Sequence, residues 1–292
     1  MNQGIIKSDR RRDDVARITR GHGRIAKSCF LLALVMLVSG AVTGKAQAAI
    51  TFIQNSYTAP QSPQSSVALA FTGAQSAGNL NVVVIGWNDT TATVTAVTDS
   101  KGNAYTRAVG PTTYSGQLSQ SIYYAKNIAT AAANTNTVTV QFSVPAIYPD
   151  IRILEYSGLD PSNPVDVTAG ASGSSATSNS GAVTTTNAND LLVGANMVAT
   201  LTSGAGTGFT SRIITSPNGD IAEDRIVTAT GSYSATATLT SAGPWVMQMV
   251  ALKAGGAVAD TTPPTTPSNL VATAASSSAI NLSWTASTDN VG

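Results

Sequence analysis

The chain has 292 residues, with 16 Lys and Arg against 15 Asp and Glu, 11% charged residues and 5% aromatics. Globular proteins average about 25% charged residues, so this composition excludes a strong electrostatic footprint for nucleic acid or anionic lipid. Ser, Thr, Ala, Gly and Asn fill the gap, a mixture that suits a turn-rich β protein and differs from disorder in its recurring Val, Ile and Leu runs.

The first 48 residues carry nine basic and three acidic side chains, leaving seven basic against twelve acidic in the rest. Phe30–Val38 (FLLALVMLV) is a short apolar run behind an Arg-rich stretch, and Ala46-Gln47-Ala48 follows. Basic segment, short apolar core and small-x-small site predict a secretory signal peptide over residues 1–48. A membrane anchor is the alternative, but the apolar run is short for a bilayer about 30 Å thick. A secreted, extracellular protein without stable membrane insertion after cleavage is therefore expected. The single cysteine, Cys29, and single histidine, His22, would leave with this segment. The remainder then has no disulfide, no thiolate, no His or Cys zinc site and no His-based triad.

Residues 49–254 read as about a dozen strands without a helix. Leu80–Trp87 (LNVVVIGW) is a β-branched apolar run, the pattern of a strand buried on both faces. Asp99–Asn103 is a turn. In Thr137–Phe142, Val138, Val140 and Phe142 alternate with polar residues, as in a sheet with one wet face. Ile151–Tyr156 (IRILEY) sets Ile151, Ile153 and Glu155 against Arg152, Leu154 and Tyr156. Ala169–Ser180 is a Gly/Ser/Ala/Thr tract, read as a long loop or a weak edge strand. Asp190–Val198 is apolar again, Gly204–Gly208 breaks the pattern, and Trp245–Leu252 closes the series. Short turns between many strands predict an all-β, jelly-roll-like two-sheet sandwich. A parallel β-helix is the rival, although no fixed repeat of coil length is visible.

Residues 255–267 form a Gly/Pro/Thr linker. Beyond it, Pro264, Pro267 and Leu270 precede one strand, and Ile280-Asn281-Leu282-Ser283-Trp284 alternates on a second, followed by Ser287-Thr288-Asp289-Asn290. This stretch resembles the start of a fibronectin type III domain. The resemblance implies a seven-strand sandwich, of which residues 268–292 supply two strands. A truncated module within a larger secreted protein is the expectation, since an isolated strand pair is marginal in water.

Candidate chemistry is sparse. Glu155 and Glu223 could form the carboxylate pair of a glycosidase if the sheets bring them together. Asp150 and Asp160 lie near Glu155; Asp220, Asp224 and Arg225 surround Glu223, where surface ion pairing and turn capping are the bland alternative. A structural calcium is a further candidate, in the oxygen-rich loops Asp99–Asn103, Asp160–Asn163 and Asn218–Asp224, none of which matches the EF-hand pattern. For sugar recognition, Tyr114 and Tyr148 sit beside loop residues and are the candidate ligand-binding rings. Trp87 and Trp245 border apolar strands and are expected in the core. Of Tyr123 and Tyr124, one should face solvent. The favoured reading is a non-catalytic extracellular binding or adhesion module for polysaccharide or a cell-surface glycan. The alternative is an accessory or catalytic part of a polysaccharide-degrading glycosidase or lyase.

Overall fold

The computed structural model describes residues 49–256 and 264–288, and the expected signal peptide and most of the linker lie outside them. The described residues form eighteen strands and no helix. The all-β expectation holds. No helix among the described residues is long and apolar enough to cross a membrane.

The first eight strands are β1 (Thr51–Thr58), β2 (Gln64–Ala70), β3 (Leu80–Trp87), β4 (Val94–Asp99), β5 (Thr106–Tyr114), β6 (Leu118–Ala125), β7 (Thr137–Ala146) and β8 (Asp150–Ser157). They form an antiparallel sheet in the order β1-β8-β3-β6-β5 and a smaller sheet in the order β2-β7-β4. The turn 158–164 leads to a second set: β9 (Val165–Asn179), β10 (Val183–Thr184), β11 (Asp190–Val198), β12 (Thr202–Ala205), β13 (Thr210–Ile214), β14 (Ile221–Val227), β15 (Ser232–Tyr233) and β16 (Thr236–Lys253). Here β9-β16-β11-β14-β13 form one sheet, with β12 also on the long β16, and β10-β15 form another. Adding eight to each label of the first large sheet reproduces the second. The same shift turns β2-β7 into β10-β15. The body of the chain is thus one strand plan laid down twice. The repeat shows locally as well, since Tyr105-Thr106 leads into β5 and Phe209-Thr210 into β13.

The large sheets pack face to face. Leu80, Val82 and Val84 of β3, Ile122 of β6, and Leu154 and Tyr156 of β8 meet Leu191, Val193 and Ala195 of β11 and Val250 and Leu252 of β16 in one central cluster. The opposite face of the first large sheet, through Val83, Ile85, Trp87, Ile151 and Ile153, packs on Val67, Val138, Val140 and Phe142 of the small sheet. The outer face of the second, through Leu192, Trp245, Met247 and Met249, packs beneath Tyr233 and Val183 of β15 and β10. The layers are therefore more numerous than the two expected. This explains why every residue of β3 and β11 is buried: both faces of each strand meet a hydrophobic layer, so the apolar run has no polar alternation.

Of the two readings of the Gly/Ser tract, the edge strand holds and the loop does not. The tract is the greater part of β9, paired along β16 from Leu252↔Val165 to Thr236↔Asn179. Its glycines permit close approach: a Cβ on Gly173 would lie 2.6 Å from the Trp245 ring, and one on Gly170 would lie 2.7 Å from the Thr112 hydroxyl. Tyr123 and Tyr124 do point to opposite faces, and both are half-buried, each against a core cluster. Separately, β17 (Ser268–Ser276) and β18 (Ala279–Thr285) form an antiparallel hairpin, with Leu270, Ile280, Leu282 and Trp284 exposed.

A chain of residues 49–160 alone would uncover the central cluster. It is expected to bind the dye ANS and to melt without cooperativity, whereas residues 49–256 melt in one transition; calorimetry and dye fluorescence check both.

Candidate functional site

Both large sheets end their strands on the same side of the molecule, and the turns there enclose a cleft. Where β3 stops, the Asn88 amide donates to the Ile147 carbonyl at 2.7 Å. The Asp89 carboxylate accepts the amides of Thr91 (2.8 Å), Ala92 (2.7 Å) and Ile147 (2.8 Å), which ties this turn to the β7–β8 turn. Tyr148 follows at φ 45°. In the second half, the Thr202 amide donates to the Gly219 carbonyl at 3.0 Å. Gly219 has φ 77°, and a Cβ there would lie 2.9 Å from the Leu201 Cα, so the turn admits no side chain. The Gln61 side chain donates to Asn218 Oδ1 at 2.8 Å and joins the first half to the second. The cleft encloses about 230 Å³ between Asn88, the Met197–Leu201 segment, Pro217 and Asn218.

Behind the cleft lies a wholly buried charged group. Arg152 of β8 has no exposed surface. Its Nη1 donates to the carbonyls of Asn196 (2.8 Å) and Ile221 (2.6 Å) in the second half, and its Nη2 donates to Gln120 Oε1 at 3.1 Å. Its Nε lies 2.7 Å from Asp150 Oδ1, a charge contact whose angle falls outside hydrogen bonding. Asp220 is equally buried, and its Oδ1 accepts the Val198 amide at 2.8 Å on the cleft wall. Burial pushes both Asp150 and Asp220 upward, and the facing Asp150 charge adds to the rise at Asp220; Arg152 opposes both. Two carboxyls against one guanidinium are neutral overall when they share one proton. The Thr215 side chain also stabilises the charged form of Asp150.

At the opposite end the halves are joined again. Tyr156 of β8 donates to Asp224 Oδ2 at 2.9 Å, and Arg212 Nε donates to the same oxygen at 2.7 Å. The Arg212 guanidinium lies 4.1 Å above the Phe52 ring.

Glu155 and Glu223 are not brought together. Each has no exposed surface. Glu155 points away from the central cluster that Leu154 and Tyr156 enter, and accepts Gln54 and Asn79 side-chain amides, both at 2.6 Å. Glu223 points to the outer side of the second large sheet, where its Oε2 accepts the Gly206 amide at 2.8 Å and its Oε1 has no partner. Two large sheets, stacked at about 10 Å, lie between them. The separations a glycosidase pair needs, roughly 5–9.5 Å, are out of reach. Nor is Glu223 paired with Arg225, which instead lies over the Tyr233 ring at 5.6 Å.

The loops considered for calcium use their carboxylates internally. Asp99 accepts two amides, two side-chain amides and the Tyr105 hydroxyl at 2.7–3.0 Å. Burial pushes its carboxyl up, but these donors outweigh burial and hold it below the usual range. Asp160 accepts the Ser162 and Asn163 amides at 2.8 and 3.1 Å. In the third loop, Asp220 is drawn into the buried charge group. Among the described residues no group of three or more His, Cys, Asp or Glu is placed to hold a metal.

Tyr148 is 42% exposed and follows Ile147, whose carbonyl accepts the amide of the cleft residue Asn88. Tyr114 is half-buried against Leu118, Met197 and Val246. Val144, Ile147 and Leu201 are also exposed; of the three only Leu201 lines the cleft, whose surface is mostly polar. Trp87 and Trp245 are buried, as their strands imply. The Arg152 group was the residue set that pairing arguments missed; its signal was an arginine placed in phase with Leu154 and Tyr156. No family model, curated protein or solved structure matches the chain.

Truncating Arg152 to Leu leaves the shared carboxyls without their cation. The loss should be about 3–5 kcal/mol in denaturant unfolding, and adding Asp150→Asn should restore part of it. Burial, against the Gly206 and Thr236 backbone bonds, raises the Glu223 carboxyl to about 7 from its usual 4.5. A raised folded value means the unfolded chain releases its proton first. Stability should therefore fall as pH rises from about 4.5 to 7, by about 3 kcal/mol from this group. Glu223→Gln should remove that slope in melts taken across the range.

Proposed function

We propose that this chain is an exported, non-catalytic binding module and that the cleft between its two repeated halves takes a segment of polysaccharide or cell-surface glycan. The observation that carries this reading is the exposed Tyr148 ring, one residue beyond the Ile147 carbonyl that accepts the Asn88 amide, next to a cleft of about 230 Å³ lined by Asn88 and Asn218. A sugar presents a face of C–H groups and a girdle of hydroxyls. An aromatic platform suits the first and side-chain amides suit the second. Hydrogen bonds to Asp89 and Gly219 tie these turns down, which lowers the ordering entropy that opposes binding.

The hydrolase or lyase alternative loses its only carboxylate pair, since Glu155 and Glu223 sit in different layers. The secretory segment supports an extracellular setting through its sequence pattern. The strand orders β1-β8-β3-β6 and β2-β7-β4 are consistent with jelly-roll winding, and the β17–β18 hairpin with its exposed Trp284 is consistent with the opening strands of a fibronectin type III module.

A glycan array probed with residues 49–256 tests this. Binding to at least one glycan is expected, reduced about tenfold by Tyr148→Ala, which corresponds to ~1.4 kcal/mol of ring contact. Tyr114→Ala should leave it within about twofold. Absence of signal above background on every glycan would remove the proposal.

A further inference from the structure

The residues that line the cleft, Asn88, 197–201, Pro217 and Asn218, include no charged side chain. Two amides of this lining are spent on the fold: Val198 donates to Asp220 and Ala199 to the Pro244 carbonyl. The amides of Thr200, Leu201 and Asn218 donate to no group among the described residues, and the carbonyls of Thr200, Pro217 and Asn218 accept from none. Asn88, the contribution of the first half, has a side chain that the fold leaves unused. Its Oδ1 is buried without a donor, and its Nδ2 reaches the surface without an acceptor. A buried acceptor in that state is costly. A half-turn about Cβ–Cγ exchanges the two atoms in place, so the carboxamide offers an incoming group either a donor or an acceptor.

On the premise that the chain is a glycan-binding module, we infer that the cleft selects the acetamido group of an N-acetylhexosamine. A secondary amide carries one fixed N–H and one fixed C=O, and its methyl group is apolar. The C=O suits the unpaired amides of Thr200 and Leu201. The N–H suits the Asn88 carboxamide turned to accept. The methyl suits the exposed side chains of Leu201 and Pro217. A sugar hydroxyl meets one of these needs at a time, and the acetamido group meets all three at once. A uronate would bring an anion to a lining without a cation, and a free amino sugar would bring a cation to a lining without a carboxylate. The cleft, at about 230 Å³, is smaller than the roughly 300–1,000 Å³ of sites that enclose drug-sized ligands. It accommodates one substituted ring of a polymer rather than several.

The test is calorimetric titration of the full chain with two matched pairs of sugars: tri-N-acetylchitotriose against cellotriose, and the methyl glycoside of N-acetylgalactosamine against that of galactose. Within each pair the acetamido group replaces a hydroxyl and little else changes. In at least one pair the acetamido sugar should bind about tenfold more tightly, the worth of two added hydrogen bonds. Asn88→Ala should bring the members of that pair within about twofold of each other without changing the melting temperature. Leu201→Ala, at an exposed position, should weaken the acetamido sugar about threefold and leave the plain sugar as it was. Equal affinity within a bound pair, or array hits confined to glycans without an N-acetylhexosamine, would overturn the acetamido assignment and leave the binding-module reading standing. A preference that survives both substitutions would also overturn it, by placing the acetamido group elsewhere. Failure to bind any glycan would remove the binding-module reading and the acetamido assignment with it.

Discussion

A guanidinium with no exposed surface stands where the two halves of this chain meet, and their union depends on its being satisfied. Arg152 leaves one sheet and spends its donors on carbonyls of the other. An isolated buried cation would be intolerable. Here it is answered by a carboxyl from its own strand, Asp150, and one from the facing half, Asp220. Such a network adds little net stability compared with a well-packed apolar core, but it penalises any slippage between the sheets. A shift of one residue along β8 would put Arg152 against the outer layer and Ile151 or Ile153 into the centre, reversing every side chain of the strand.

The repeated strand plan explains why this contact can exist. Each half presents one large sheet face, of five strands in the first half and six in the second, that is apolar over most of its area, and a lone half would leave it in water. Placing the two faces together buries both and makes β3, β8 and β11 interior strands. The same arrangement lines up the turns of both halves at one end. The cleft is therefore a product of the pairing: Asn88 comes from the first half, and Pro217 and Asn218 from the second. Tyr156–Asp224–Arg212 holds the far end, so the two halves are pinned at both extremes of the shared face.

A second theme is the treatment of acids. With few charged residues available, the body still buries Asp150, Glu155, Asp190, Asp220, Glu223 and Asp224. Glu155, Asp190 and Asp224 are met by donors from side chains. Asp150 and Asp220 are met in part by other carboxyls, and Glu223 by backbone amides alone. Since the described residues contain neither histidine nor cysteine, response to pH in this body rests on carboxyl groups whose environment, rather than their intrinsic chemistry, places them near neutrality.

Read alone, the amino-acid order was sufficient for the strands whose side chains obey a period. The apolar run 80–87, the alternation of 137–142 and the phase of IRILEY all follow from which faces are dry, and the predicted burial of Trp87 and Trp245 follows from the same rule. It left β9 open between a long loop and a weak edge strand, because close approach to Trp245 and Thr112 requires glycine, and glycine erases the periodic signal. It was also silent on which acids share a neighbourhood. Glu155 and Glu223 look like a pair by residue type, yet an even number of sheets separates them; Asp150 and Asp220 lie seventy residues apart and face each other. Period is a local property of the backbone and survives in any string of residues. Proximity between distant strands is created only when sheets stack, and that was decided by the tertiary structure.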